Sequence, residues 1–181
     1  MMSLSKWSEV SDVTLNLTMY NRQPIHPDVQ KILGDFTNIA LLGYHAEEGR
    51  NFMEAVEPIR EQLWNAIEYR SFNVINLLGR LAERYGDAVA APYVFTSLID
   101  SEAEGIEDTM AKIGFHEIFA QTQTPQVVLD HQLYVRDGKL LLVLDYVKQA
   151  FEEEMLDKMF ADYTAKVKRL ADTEDWRTVY E

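Results

Sequence analysis

The sequence has no cysteine, which excludes a disulfide framework, a thiol nucleophile and a thiolate metal site. Glycine and proline are scarce, at 8 and 5 of 181 residues. No Gly-, Pro- or Ser-rich tract marks a linker or a disordered arm. Basic residues are in deficit: 17 Lys and Arg stand against 30 Asp and Glu, a net charge of −13. That sign repels phosphate backbones and anionic lipid, so neither a nucleic acid nor a membrane partner is expected. Long apolar runs and a charged-then-apolar leader are also missing, and the expectation is a cytoplasmic protein. In that setting Asn16-Leu17-Thr18, a match to the glycosylation acceptor pattern, carries no weight. No group of His and carboxylates shows ligand spacing, and no metal is expected. What is present is globular, 47% hydrophobic and 26% charged. The length suits a single domain over 1–181, and no internal repeat is visible.

The order of elements follows from periodicity. From Asp12 to Tyr20 the run DVTLNLTMY alternates, with Val13, Leu15, Leu17 and Met19 on one side and Thr14, Asn16 and Thr18 on the other, as in a half-buried strand. A second strand is predicted over Asp35 to Tyr44. The period then changes. Phe52, Val56, Ile59, Leu63 and Ile67 mark an amphipathic helix from about Gly49 to Tyr69, which Pro58 is expected to kink or to delay. Val74, Leu78, Leu81 and Tyr85 mark another helix, ending at Gly86. Pro92 opens a compact strand, PYVFTSLID. Residues 101–124 read as a loop with at most a short helix around Glu104 to Ile113. Asp137-Gly138 between two alternating runs signals a hairpin. A last helical stripe runs from about Glu152 to Ala171, its acidic start suited to the helix dipole. Strands interleaved with helices on one mixed sheet predict an α/β (α+β) two-layer sandwich.

One stretch carries a chemical question. In QTQTPQVVLDHQ, Gln121 to Gln132, alternation places Gln126, Val128, Asp130, Gln132 and Tyr134 on one face and Val127, Leu129, His131, Leu133 and Val135 on the other. Asp130 then belongs either to an ordinary wet face or to the wall of a site that needs a fixed ionisable group. His131, on the apolar side, reads as a satisfied core histidine.

Several blocks together resemble a known family. LNLTMYNRQPIHPDV (Leu15 to Val29), GDFTNIALL (Gly34 to Leu42), APYVFTS (Ala91 to Ser97), QTPQVVLDHQ (Gln123 to Gln132) and the closing MLDKMFADY are similar to the C-terminal lobe of the heterocyclisation domains of nonribosomal peptide synthetases, a branch of the condensation domains. The resemblance implies a lobe of the chloramphenicol acetyltransferase type. It also implies a two-step reaction on carrier-protein thioesters: an acyl or peptidyl group is condensed with the amine of Cys, Ser or Thr, and the side chain then cyclises onto the new amide with loss of water to a thiazoline or oxazoline. By the same resemblance Asp130 is the acid/base residue, Thr96 orients it and Asn16 supports it, with Gln123, Gln126 and Ser97 as supporting polar residues. No cofactor is held in this chain, because the substrates ride on the phosphopantetheine of peptidyl or aryl carrier proteins.

The residue types suit those roles. Dehydrating a hemiaminal needs a group that takes one proton and returns another, which a carboxylate can do. Thr96 shares its strand face with Val94 and Leu98, so its hydroxyl requires a partner.

Two departures are visible. The family has Trp where Val128 and Leu144 stand, and an FP-x-G turn where this chain has Phe151-Glu152-Glu153-Glu154. The family's DxxxxD signature belongs to an N-terminal lobe that is not in this sequence. Asp157 and Asp162 reproduce the spacing, but five residues on a helix turn two side chains about 140° apart, so the match is coincidental. The partners implied are carrier proteins and either an N-terminal heterocyclisation lobe or a second copy of the chain. The competing reading is a non-catalytic module that docks carriers or scaffolds a synthetase.

Overall fold

The computed structural model describes residues 1–72, 74–86, 91–99, 112–115, 118–119, 121–136, 138–152 and 154–179. In chain order these form α1 (Met2–Lys6), β1 (Asp12–Tyr20), β2 (Thr37–His45), α2 (Phe52–Glu68), α3 (Val74–Tyr85), β3 (Tyr93–Ser97), β4 (Leu129–Arg136), β5 (Lys139–Tyr146) and α4 (Met155–Asp172). The strands make one five-stranded mixed sheet in the order β2-β1-β3-β4-β5. The outer pairs, β1 with β2 and β4 with β5, are antiparallel, and β3 runs parallel to both of its neighbours. The α/β sandwich expected from the pattern is the architecture found.

Alternation along the strands divides the sheet into two faces. Val13, Ala40, Leu42, Tyr44 and Leu129 on one face are buried. Against it lie α1, α2 and α4, whose Leu4, Ile59, Leu63, Met159, Phe160 and Tyr163 meet Leu15, Leu17 and Phe95 around an apolar cavity of about 360 Å³. On the other face, described residues such as Asn16, Thr18, Val94, Thr96, Asp130 and Gln132 are half-buried or exposed, and none is fully buried.

Helix α2 begins with a capping box: the Asn51 side chain accepts from the Glu54 N–H, and the Glu54 carboxylate accepts from the Asn51 N–H. Such an arrangement satisfies two of the donors that a helix start leaves orphaned. The helix neither starts late nor ends at Pro58, but continues on both sides of it. Farther along, Gln62 bonds both backbone groups of Gly43, accepting from the N–H and donating to the carbonyl, each at 2.8 Å. Because β2 is an edge strand, this amide occupies a position where another strand could add. Helix α3 ends where glycine was expected to end it, with Gly86 at φ 84 donating to the Ala82 carbonyl. Short α1 has no counterpart in the expected elements. It is tied to α4 by Lys6, whose ammonium lies 2.8 Å from Asp162. Asp162 also pairs with Lys166, so this aspartate has a structural task, in keeping with a coincidental D-x4-D.

Three boundaries differ from expectation. Strand β2 starts at Thr37, two residues after Asp35, whose carboxylate accepts from the Thr37 N–H instead. Strand β4 starts at Leu129, so Gln126 does not extend the Asp130 row. Pro125 and Gln126 form a turn in which Gln126 has φ 67, a left-handed conformation that no strand contains. Helix α4 starts at Met155, preceded by Glu154 at φ 62. The β4–β5 hairpin is as expected, with Arg136 opposite Lys139 and Gly138 at φ 68. Asp137 and most of the short helix expected around Glu104 to Ile113 lie outside the described residues.

Candidate active site

The half-buried face of the sheet carries two rows of polar side chains across its centre. Ladder register aligns Leu41, Asn16, Val94, Asp130 and Asp145 in one row, and Ile39, Thr18, Thr96, Gln132 and Val143 in the next. Strands lie about 4.8 Å apart, so Asn16 and Asp130 stand about 10 Å apart with Val94 between them. A segment before β4 closes one end. Thr122 lies against Asp130 and Asp145, and beside them is a concavity of about 310 Å³ that Gln121, Gln123, Thr124 and Lys148 also line.

Asp130 is held by one of its two oxygens. Oδ2 is 2.7 Å from the Thr122 hydroxyl. Oδ1 is buried and has no hydrogen-bond partner among the described residues. Asn16 Oδ1, in the same row, is likewise buried and unpartnered. An orphaned buried acceptor costs about 1–3 kcal/mol, and these two lie in one register row on the open face of the sheet. Thr96, expected beside Asp130, instead donates to the Thr18 hydroxyl at 2.9 Å. Its side chain therefore lies in the row next to the acid, and the residue bonded to the acid is Thr122. Gln132 Nε2 donates to the same Thr122 oxygen at 3.1 Å.

The supporting residues separate. Gln123 lines the concavity with Asp130. Gln126 is exposed in its left-handed turn and does not line that concavity. Ser97 pairs with Leu133 at the end of β3 and so belongs to the opposite, helix-covered face. Sequence reasoning missed Thr122 and Asp145. Asp145 could have been found, since a hairpin register counted from Gly138 puts it opposite Asp130. Thr122 lies in a segment without periodicity, where no pattern announces a contact.

A second polar group lies on the other face of the sheet. His131 has Nδ1 3.0 Å from the Val143 carbonyl oxygen and Nε2 2.9 Å from the Tyr163 hydroxyl. With Nδ1–H donating and Nε2 accepting, the ring is neutral and both nitrogens are satisfied. Phe95 and Tyr163 pack edge-on against it. Burial pushes the His131 pKa down and the Tyr163 pKa up. The histidine is a core group, as its place in the alternation implied.

Among the described residues no group of His, Asp and Glu is arranged to hold a metal, and no helix is long and apolar enough to cross a membrane.

Comparison with known proteins gives consistent similarities. Residues 1–175 match the condensation domain family. Bacitracin synthase 1 of Bacillus licheniformis is 34% identical over 180 residues, which is 97% of this chain and 3% of that protein. Phenyloxazoline synthase MbtB of Mycobacterium sp. (strain MCS) is 34% identical over 172 residues, 93% of this chain and 14% of its own length. Among solved structures, the EpoB cyclization-docking bidomain of a nonribosomal peptide synthetase from Sorangium cellulosum superposes with a TM-score of 0.80 at 36% identity, covering 96% of this chain and 35% of that one. The chain thus spans a small fraction of the relatives it matches.

Proposed function

The chain belongs to the condensation domain family of nonribosomal peptide synthetases, and from that premise we propose that it is the C-terminal half of a heterocyclisation domain, active when joined to a second lobe. The observation that carries this reading is the Asp130 carboxylate, fixed by one oxygen to Thr122 while the other is buried and has no partner among the described residues, in the same sheet row as Asn16. The name of the phenyloxazoline synthase relative and that of the cyclization bidomain support the ring-forming branch.

In this reading an acylated Cys, Ser or Thr, carried on a downstream carrier protein, lies over the strip between Asn16 and Asp130. Its side-chain sulfur or oxygen attacks the amide carbonyl carbon, forming the ring bond. The thiol or hydroxyl proton passes by way of the Asp130 carboxylate to the former carbonyl oxygen. The hemiaminal then loses its N–H proton while its hydroxyl gains one. The C–O bond breaks, water leaves and the C=N bond forms. One carboxyl that can take and give a proton serves both steps. Thr96 and Thr18 form the polar floor beside the acid, and Asn16 holds the substrate from the other end of the row.

The test is Asp130→Asn in the assembled two-lobe enzyme, with acyl-loaded donor carrier and with acceptor carriers loaded separately with cysteine, serine and threonine. Ring formation should fall by about 10²- to 10⁴-fold, the usual worth of a positioned acid/base group, while the uncyclised amide accumulates. Ring formation at the parental rate would overturn the assignment and leave a non-catalytic carrier-docking module as the reading.

A further inference from the structure

Asp145 stands directly opposite Asp130 on the neighbouring strand and on the same face. Like charges in that position destabilise a strand pair. Among the described residues no Lys, Arg or His forms an ion pair with either carboxylate. The pair is bridged by Thr122. Its hydroxyl oxygen lies 2.7 Å from Asp130 Oδ2 and 2.9 Å from Asp145 Oδ2, and its backbone N–H donates to Asp145 Oδ2 at 3.1 Å. Gln132 Nε2 donates to the same hydroxyl at 3.1 Å.

Counting donors shows what this cluster can hold. A hydroxyl has one proton to give and two lone pairs to accept with. Gln132 occupies one lone pair, and the hydroxyl proton reaches only one of the two carboxyl groups. The second contact is a hydrogen bond only when the other carboxyl group brings a proton and donates it to the remaining lone pair. The cluster is therefore fully bonded when the two carboxyls and the hydroxyl between them share one extra proton. A pair of this kind assists the dehydration step, because one group can accept the N–H proton while the other keeps a proton ready for the departing hydroxyl.

We propose that Asp145 is a positioning residue for the ring-forming reaction, acting on Asp130 through the Thr122 hydroxyl as the far carboxyl of a proton-sharing pair. This rests on the heterocyclisation reading above. Asp130 meets the substrate, Thr122 relays a proton between the two acids, and Asp145 holds that proton or its absence away from the reacting atoms. Cyclodehydration depends on the relay, whereas the preceding amide-forming step does not.

The experiment compares Asp145→Asn, Thr122→Val and Thr122→Ser with the parent and with Asp130→Asn in the assembled enzyme. It uses a benzoyl-loaded donor carrier and whichever of the cysteinyl, seryl or threonyl acceptor carriers the parent cyclises. Asp145→Asn and Thr122→Val should lower the kcat of ring formation by about 10- to 100-fold, the scale of a misplaced reacting group. The KM for the carriers and the rate of amide formation should stay unchanged. Thr122→Ser should restore ring formation, since it keeps the hydroxyl. A merely structural role for Thr122 would instead lower the thermal midpoint and affect both steps alike, and that result overturns the proposal. If Asp130→Asn abolishes ring formation while Asp145→Asn and Thr122→Val cyclise at the parental rate, the relay is refuted and the reading stands. If Asp130→Asn itself cyclises normally, or the parent cyclises none of the acceptors, the reading falls and the relay with it.

Discussion

At the scale of single residues, the two neighbours Asp130 and His131 show what alternation decides. Consecutive side chains in a strand point to opposite faces, so one titratable group faces the open row and the next faces the core. His131 then has a consequence for stability. Burial holds its imidazole neutral at pH values where a free histidine takes a proton. Above the ordinary value of about 6.5 the folded and unfolded chains are both neutral here and the contribution is intact. As pH falls below it, the unfolded chain binds a proton that the folded chain refuses, and stability is lost down through the depressed folded value. Denaturation midpoints measured across this window should fall with acidification, and His131→Gln should make the fall less steep. Equal slopes in parent and variant would show that His131 is not the group responsible. The faces of Asp130 and His131 were readable because alternation is a local rule. Asp145 was within reach of a hairpin register counted from Gly138, but Thr122, the residue bonded to Asp130, was not, since it comes from a segment without periodicity. Thr96 shows the same limit: its need for a partner was legible, but the partner, Thr18, lies two strand segments away in sequence.

At the scale of elements, the start of α4 carries an identifiable strain. Glu154 caps the helix at φ 62, where the side chain of an L-residue crowds its own backbone at a cost of about 1–2 kcal/mol. Glycine adopts such a conformation without that penalty. The Glu154–Lys158 ion pair is exposed at both ends and contributes under about 1 kcal/mol. Glu154→Gly should therefore stabilise the protein by roughly 0.5–1 kcal/mol, read as a rise of about 1–4 °C in thermal midpoint for a chain of this length. A lower midpoint would mean that the carboxylate contributes more to the helix start than the backbone strain removes. The strands and long helices were legible because each has a period. Helix α1 is too short to show one, and the turn at Pro125 and Gln126 interrupts an alternation that otherwise continues through it. Pro58 did not delay the start of α2, which runs through it from Phe52, because packing of a long amphipathic face against the sheet outweighs one lost backbone bond.

At the scale of the whole molecule, the question is what covers the face that holds the acid. Between β1 and β2 the chain is pinned rather than loose. Arg22 donates to the Val29 and Ile32 carbonyls at 2.6 and 2.9 Å and stacks over the Phe36 ring. Yet this fixed segment turns apolar side chains to solvent, with Leu33 98% and Ile25 85% exposed. These two side chains are therefore available to a partner without any repacking of the chain. Two copies of the chain would each bring a net charge of −13, and their repulsion disfavours self-association at moderate salt. That weighs against the second-copy alternative and makes the heterologous lobe proposed above the partner to test first. Light scattering should give a monomer near 20.9 kDa for the chain alone, and a one-to-one complex once an N-terminal heterocyclisation lobe is added. Leu33→Asp should weaken that complex by tenfold or more, about 1.4 kcal/mol, without lowering the thermal midpoint of the chain, because the side chain has almost no contacts to lose. A stable homo-oligomer would reverse the preference, since two copies would then complete the site between them. Binding to carrier protein with no affinity for the second lobe would place the chain among docking modules, with the acid row unused.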